Sequence, residues 1–196
     1  DIEYTIERGT LFLLQTRTGK RTGLAAVKIA VDMVMEGRIT EEEALLRVPA
    51  TDLNQLLLPT FAPEAERDVL TRGLPASPGA SAGKLAFTAD EAVERAYAGE
   101  SVLLVRKETS PEDVSGMHVA EGILTSTGGM TSHAAVVARG WGKCCVAGAG
   151  EILINEEKRL MTVNGRTFGD QDVISIDGST GEVMAGNVRT QDPKLS

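Results

Sequence analysis

The segment from Gly122 to Gly140 constrains the fold more than any other part of the chain. Residues 122–126, GILTS, form an apolar run of the length of a short buried strand. Residues 128–140, GGMTSHAAVVARG, begin with two glycines and continue through two hydroxyl residues into a run rich in alanine and valine. The order predicts a strand, a glycine turn and a helix, with His133 in the first turn of that helix.

The predicted position of His133 has chemical consequences. The first turn of a helix leaves backbone N–H groups without intrahelical partners, and the helix macrodipole places partial positive charge there. A phosphate group binds readily at such a terminus. We expect Thr131 or Ser132 to cap the helix, and Gly128 and Gly129 to allow close approach of the backbone.

His133 is itself a candidate nucleophile. An imidazole with an ordinary pKa of about 6.5 is largely neutral near pH 7. A neutral ring nitrogen can attack a phosphoryl group and hold it as a phosphoramidate. The alternative is that His133 is a capped, half-buried residue at the start of a helix without a chemical role. The residues alone leave both interpretations open.

Residues 128–148, GGMTSHAAVVARGWGKCCVAG, resemble the phosphohistidine signature of the pyruvate, phosphate dikinase family. Phosphoenolpyruvate synthase and enzyme I of the sugar phosphotransferase system share its GG-x-[TS]-[SC]-H core. These relatives usually carry Arg at the position of Met130 and lack the pair Cys144-Cys145. The resemblance therefore favours the dikinases.

The resemblance implies a fold and a reaction. The fold class would be α/β, with a swivelling β/β/α phosphohistidine domain preceded by a β-hairpin and a helical linker. His133 would carry a phosphoryl group between a nucleotide site and a pyruvate site, as ATP, phosphate and pyruvate become AMP, pyrophosphate and phosphoenolpyruvate. The loop that stabilises the phosphate would comprise Gly128, Gly129, Thr131 and Ser132. The alternatives are a carrier domain of the synthase or of enzyme I, or a non-catalytic swivel and docking module.

The first strands predict a second cluster of polar residues. The first seven residues alternate polar and apolar, and a second strand follows a short turn. A period of two places Asp1 and Glu3 on one face of the first strand and Gln15 and Arg17 on one face of the second. Carboxylates suit Mg²⁺ with nucleotide phosphates, and an arginine and an amide suit phosphate oxygens. The alternative is an ordinary solvated hairpin face.

By the resemblance, this hairpin is the last one of an ATP-grasp nucleotide-binding domain. Glu3 would then bind Mg²⁺ with the nucleotide, Gln15 would belong to the same site, and Arg17 would contact the transferring phosphates. Most of such a domain is missing from the chain. We therefore expect neither ATP binding nor a tightly bound cofactor in this segment alone.

A segment rich in proline and glycine, residues 59–83, predicts a hinge linker with a domain boundary near Arg72. The predicted parts are a hairpin of the nucleotide-binding domain at 1–20 and a helical segment with the hinge at 21–71. The carrier domain would occupy 72–190, and residues 191–196 would begin a linker to an absent C-terminal barrel. Helices are predicted over 22–36, from Thr40, over 88–98 and over 110–121. Strands are predicted over 84–87, 101–106 and 144–147. A hairpin turn is predicted at Asn164-Gly165.

Composition limits the partners. The formal net charge of −8 argues against nucleic acid or an anionic membrane. No apolar run approaches the ~20 residues that span a bilayer, and no signal peptide opens the chain. Adjacent Cys144 and Cys145 predict reduced core residues, with a functional thiol as the alternative. Reduced cysteines indicate a cytoplasmic protein, or one of the plastid stroma in a plant. By the resemblance, the expected partners are the nucleotide domain and the pyruvate barrel of the same full-length chain, in a homodimer.

Three further residues have predicted roles. A phosphate on Thr131, two residues before the nucleophile, would block it by bulk and charge. The resemblance implies that Thr131 is a site of reversible inactivating phosphorylation by a regulatory kinase and phosphatase, and a simple N-cap is the alternative. His118, in a predicted helix, is expected to be structural. Arg139 is expected to form a salt bridge or to dock against a partner domain.

Overall fold

The chain divides into two units, residues 1–56 and 57–196. A computed structural model describes residues 2–16, 23–50, 53 and 57–192. Each unit is described by itself.

A hairpin opens the first unit. Strand β1 (Ile2–Glu7) pairs antiparallel with β2 (Thr10–Thr16). The turn consists of Arg8 and Gly9, whose φ angles are +50° and +80°. Two positive φ angles match the twist of the flanking strands, so this turn gives a tight two-residue hairpin. The predicted hairpin is confirmed.

Two helices follow in the first unit. Helix α1 (Gly23–Met35) is followed by Gly37 at φ +67°, and α2 (Glu41–Arg47) begins after Thr40. The Thr40 hydroxyl accepts the Glu43 N–H at 3.1 Å, and the Glu43 carboxylate accepts the Thr40 N–H at 3.1 Å. Both bonds satisfy N–H groups at the helix start, so the predicted capping box is confirmed.

The second unit alternates strands and helices and then becomes rich in short strands. A 3₁₀ turn at Pro111–Asp113 precedes its second helix. Its elements are β3 (Thr60–Phe61), β4 (Asp68–Arg72), β5 (Leu74–Ser77), β6 (Ala80–Ala86), α3 (Ala89–Tyr97), β7 (Val102–Arg106), α4 (Val114–Val119), β8 (Gly122–Thr125), α5 (His133–Trp141), β9 (Cys144–Ala147), β10 (Leu153–Asn155), β11 (Leu160–Val163), β12 (Arg166–Gly169), β13 (Val173–Asp177), β14 (Glu182–Ala185) and β15 (Thr190–Gln191).

One eight-stranded sheet organises the second unit, in the order β4-β14-β13-β6-β7-β8-β9-β5. Its strands β6, β7, β8 and β9 are mutually parallel, and helices α3, α4 and α5 connect them in turn. The carboxyl ends of parallel strands lie at the same edge, which is where open α/β sheets usually bind ligands. The segments after β7 and β8 therefore meet at one edge.

Side chains on the two faces of this sheet belong to two separate cores. Because successive residues of a strand point to opposite faces, each central strand contributes to both cores. The sheet of β10, β11 and β12 covers one face, and the helices cover the other, so the unit has β, β and α layers. The first core includes Leu85, Leu103, Leu124, Val146, Met161 and Val163, and the second includes Ala86, Leu104, Ile123, Ala92, Met117, Ala134 and Ala138.

The segment 59–83, predicted as a hinge linker, consists largely of short strands. This segment contains β3, β4 and β5 and the start of β6, and the boundary between units lies at 56/57 rather than near Arg72. Pro75 lies opposite Val146 on an edge strand, where the missing N–H of proline is tolerated. Gly73 joins two edge strands and donates its N–H to the Gly181 carbonyl at 2.8 Å. Short edge strands thus have the composition of a linker.

Both cysteines are free and buried in β9, as predicted. The Cys144 thiol lies 3.1 Å from the Gly79 carbonyl oxygen. Across the described ranges, every helix is too short or too polar to cross a membrane.

Candidate functional site

His133 is the first residue of α5, as predicted, and Ser132 is its N-cap. The Ser132 hydroxyl accepts the Ala135 N–H at 3.4 Å, and the Ser132 N–H donates to the Gly129 carbonyl at 3.0 Å. Thr131 is exposed. Of the two predicted capping residues, Ser132 therefore supplies the cap, and the Thr131 hydroxyl faces solvent.

The glycine turn before His133 depends on two glycines far apart in sequence. Gly128 has φ +98°, and a Cβ there would lie 3.0 Å from the Ser132 Cβ. Gly148, directly after β9, has φ +63°, and a Cβ there would lie 2.5 Å from the Gly128 carbonyl oxygen. The turn thus passes so close to the end of β9 that only glycine fits. Gly129 differs, since a Cβ there would meet no atom within 4 Å.

The two nitrogens of the His133 ring have different environments. Nδ1 lies 3.1 Å from the hydroxyl of Thr109, which is buried in the segment after β7. Nε2 has no hydrogen-bond partner within the described part of the chain. The ring is half-buried, so it is neither sealed in the core nor fully solvated. A hydrogen bond at Nδ1 leaves Nε2 as the nitrogen that can bond to phosphorus.

Thr109 is the site residue that sequence reasoning missed. It lies 24 residues before His133 in the chain, in the segment after β7, outside any motif. The available signal was the order of parallel strands, which places the segments after β7 and β8 side by side.

Hydrogen bonds join these two segments directly. The Lys107 carbonyl accepts the Thr127 N–H at 2.9 Å and the Thr127 hydroxyl at 2.8 Å. The Ser126 N–H donates to the Arg106 carbonyl at 3.2 Å. The ring of His133 and its Thr109 partner are therefore carried by two connected loops.

Arg139 ties the site loop to the sheet. Its guanidinium donates to the Met130 carbonyl at 2.6 Å and to the Ala76 carbonyl in β5 at 2.9 Å. The predicted salt bridge of Arg139 is not formed with any residue that the structure describes. The hydrogen bonds of its guanidinium go to these two backbone carbonyl oxygens instead. Whether it docks against another domain stays a prediction. His118 is exposed on α4, and its ring packs edge-on against Trp141 with 5.3 Å between the ring centroids.

In the first unit, Glu3 and Gln15 are direct partners in the β1–β2 register. Directly opposed residues point to the same face, so the predicted proximity of these two side chains is confirmed. Arg17 and Asp1 lie outside the described residues. No group of three or more His, Cys, Asp or Glu side chains in the described ranges is placed to hold a metal. One carboxylate beside one amide still fits Mg²⁺ that is bound mainly by nucleotide phosphates.

The class of protein follows from a comparison with known families. Residues 98–181 match the family described as PEP-utilising enzyme, mobile domain. The match includes His133, its capping residue and Thr109. This region of the chain is therefore similar to the mobile domain of PEP-utilising enzymes.

The particular relatives are dikinases. Over its full length the chain is 60% identical to the pyruvate, phosphate dikinase of Clostridium symbiosum, of which it covers 23%. It is 56% identical to that of Rhizobium meliloti (strain 1021), covering 22%, and 54% identical to the chloroplastic enzyme of Mesembryanthemum crystallinum, covering 21%. The chain thus spans about a fifth of these relatives. The predicted resemblance to pyruvate, phosphate dikinases is confirmed.

Proposed function

We propose that this chain is the phosphoryl-carrier segment of a pyruvate, phosphate dikinase and that His133 is transiently phosphorylated on Nε2. In the whole enzyme, ATP, phosphate and pyruvate would become AMP, pyrophosphate and phosphoenolpyruvate. The observation that carries the proposal is the half-buried imidazole at a helix N-terminus with Nδ1 engaged by Thr109. The similarity to dikinases along the entire chain supports it.

The ring needs a particular tautomer to react. Nε2 is nucleophilic only when the neutral ring carries its proton on Nδ1, and Nδ1–H then donates to the Thr109 hydroxyl oxygen. In the transfer from phosphoenolpyruvate, the Nε2 lone pair forms the N–P bond as the P–O bond breaks. The leaving enolate of pyruvate keeps the electron pair of that bond. The positive end of α5 stabilises the phosphoryl oxygens, and close in-line positioning supplies much of the rate.

A carrier that serves two separate sites has to move. Residues 59–83, where the sequence predicts a hinge, contain β3, β4, β5 and the start of β6 of the second unit. The second unit, residues 57–196, would then swivel as one compact body. The predicted nucleotide domain and pyruvate barrel would be its docking partners, and the homodimer and the cytoplasmic or plastid location stay predictions.

Magnesium enters the proposal through the hairpin. Glu3 would hold Mg²⁺ together with nucleotide phosphates, with Gln15 beside it and Arg17 on the transferring phosphates. When bound, the ion would neutralise negative charge on the phosphates during transfer of the phosphoryl group. We expect this function only in a chain that includes a complete nucleotide domain.

The carrier assignment is tested with labelled phosphoenolpyruvate. The wild-type chain and a His133→Ala variant are each incubated with the separately produced pyruvate-site domain of a related dikinase. We expect label on the wild type alone, in an acid-labile and base-stable form. Equal labelling of both chains would remove His133 from the mechanism, and an absence of labelled phosphohistidine would favour a docking module.

A synthase or enzyme I remains the chemical alternative. The acceptor distinguishes enzyme I, and the need for pyrophosphate distinguishes the synthase. The full-length enzyme should pass the phosphoryl group of its histidine to pyruvate. In the reverse direction, the formation of ATP from AMP should require pyrophosphate. Transfer to a phosphocarrier protein instead would identify an enzyme I. The dikinase relatives favour the first outcome.

We also propose Thr131 as a regulatory phosphorylation site. The Thr131 side chain is exposed, and the cap is supplied by Ser132, so its hydroxyl is accessible to a kinase. A phosphate there would place negative charge beside the incoming phosphoryl group. Mass spectrometry after incubation with a dikinase regulatory kinase should locate the phosphate on Thr131, and modification of Ser132 alone would contradict this.

A further inference from the structure

We propose that Asp113, supported by Arg106, positions Thr109 and thereby selects the reactive tautomer of His133. The inference rests on the proposed role of His133 and assigns a positioning function to a buried ion pair behind the site. Within the described part of the chain, the ring of His133 has a hydrogen bond with Thr109 and none with Asp113 or Arg106. Their influence would pass through the segment 107–110.

The first step is the anchor that follows Thr109. Asp113 is only 4% exposed. Its Oδ2 accepts the Ser110 N–H at 2.9 Å and lies 3.3 Å from the Ser110 hydroxyl. The carboxylate thus fixes the backbone at the residue directly after Thr109.

The second step is the charge that holds this carboxylate. Arg106 Nε lies 3.4 Å from Asp113 Oδ1. Nη1 of Arg106 donates to the Phe87 carbonyl at 2.9 Å and lies 3.3 Å from the Glu156 carboxylate. A buried carboxylate is costly without a positive partner, and the guanidinium supplies one. The Arg106 Nε forms no hydrogen bond within the described ranges, so its contact with Asp113 is a charge interaction.

The third step is the anchor that precedes Thr109. The Lys107 carbonyl receives two hydrogen bonds from Thr127, at 2.9 and 2.8 Å. Thr109 therefore lies between a fixed carbonyl at Lys107 and a fixed N–H at Ser110. With both ends held, its hydroxyl remains 3.1 Å from Nδ1. Release of the Ser110 anchor would free one end of this short segment.

The chemical effect would appear in the ring. A neutral histidine in water favours the tautomer with hydrogen on Nε2. In that tautomer Nε2 has no free lone pair with which to attack phosphorus. The Thr109 hydroxyl can donate to Nδ1 or accept from Nδ1–H, and when it accepts it favours the opposite tautomer. Loss of that acceptor should therefore shift the proton to Nε2 and slow phosphorylation, and misplacement of reacting groups by ~1 Å costs roughly 100-fold.

The experiment measures the tautomer by ¹⁵N NMR of ring-labelled histidine in the complete chain. Only two histidines are present, so a His118→Gln background leaves the His133 signals alone. The variants are Asp113→Ala, Thr109→Val as the direct perturbation, Thr109→Ser as the conservative rescue, and Glu112→Gln as a matched control. Glu112 is an exposed carboxylate in the same 3₁₀ turn.

We expect Asp113→Ala and Thr109→Val to increase the Nε2–H fraction and to slow phosphohistidine formation by about 10- to 100-fold. Thr109→Ser and Glu112→Gln should resemble the parent chain. If Asp113→Ala fails to fold by circular dichroism, Asp113→Asn replaces it, with a shift in the same direction expected. A folded Asp113 variant with the parent tautomer ratio would overturn the inference. A parent chain that is never phosphorylated would refute the carrier function instead, because the tautomer is measured without phosphate.

Discussion

The two ring nitrogens of His133 are made different by one hydroxyl. Thr109 contacts Nδ1, whereas Nε2 lies without a described partner at the positive end of α5. This hydrogen bond occupies Nδ1 and leaves Nε2 as the nitrogen that we propose to be the nucleophile. The Ser132 cap also helps to position His133, because it holds the first turn of α5 in place.

At this residue scale we predict unequal effects of two neighbouring hydroxyls. Ser132→Ala removes the cap and should lower the free energy of unfolding by about 1 kcal/mol. Thr131→Ala should change it by less than about 0.5 kcal/mol, since that side chain is exposed and caps nothing. Urea unfolding of both variants measures this difference. Equal losses would mean that Thr131 shares the capping role.

At the scale of elements, α5 and its flanking turns contain glycines with three different environments. Gly148 has φ +63°, and a Cβ added there would also lie only 2.5 Å from the Gly128 carbonyl oxygen. Gly142, which ends α5, has φ +67° and open space. Gly140 lies inside the helix, and a Cβ there would meet no atom within 4 Å.

Alanine substitutions should therefore rank in one order. Gly148→Ala should be the most destabilising, because it combines the left-handed penalty with a backbone clash. Gly142→Ala should cost about 1–2 kcal/mol from the left-handed conformation alone. Gly140→Ala should stabilise by about 0.5–1 kcal/mol, since glycine within a helix is unfavourable. Thermal and urea unfolding give the ranking, and a destabilising Gly140→Ala would contradict the exposed position of that residue.

At the scale of the whole second unit, the layers are joined across a sheet that is buried on both faces. Cys144 belongs to the core beneath the three-stranded sheet, and Cys145 to the core beneath the helices. Arg159, before β11, pairs with Glu91 of α3 and lies 3.4 Å from Asp170. Polar contacts at the edge therefore connect layers that are otherwise held by apolar packing.

The buried thiols predict how this unit responds to alkali. Burial raises the pKa of both Cys144 and Cys145 from 9.0 to about 12. A raised folded-state pKa means that the unfolded chain loses thiol protons first. The contribution to stability is then complete below pH 9 and is lost as the pH rises towards 12.

The measurement is urea unfolding at pH 8 and pH 10. We expect the parent chain to lose about 1 kcal/mol more per thiol between these values than a Cys144→Ala, Cys145→Ala variant, since one pKa unit corresponds to about 1.4 kcal/mol. Thiol reagents should also react only after unfolding at pH 8. Rapid labelling of the folded chain would show that the thiols are accessible.

Sequence by itself determined the features that depend on neighbours a few residues apart. The Thr40 capping box, the opposed Glu3 and Gln15, and His133 at a helix start all follow from local periodicity and capping chemistry. Only the tertiary structure decided that residues 68–72 and 74–77 are edge strands, because their partners at Val183 and Val146 lie far along the chain. Likewise, only the parallel order of β7 and β8 brings Thr109 to Nδ1, since that contact depends on sheet topology and leaves no local pattern of residues.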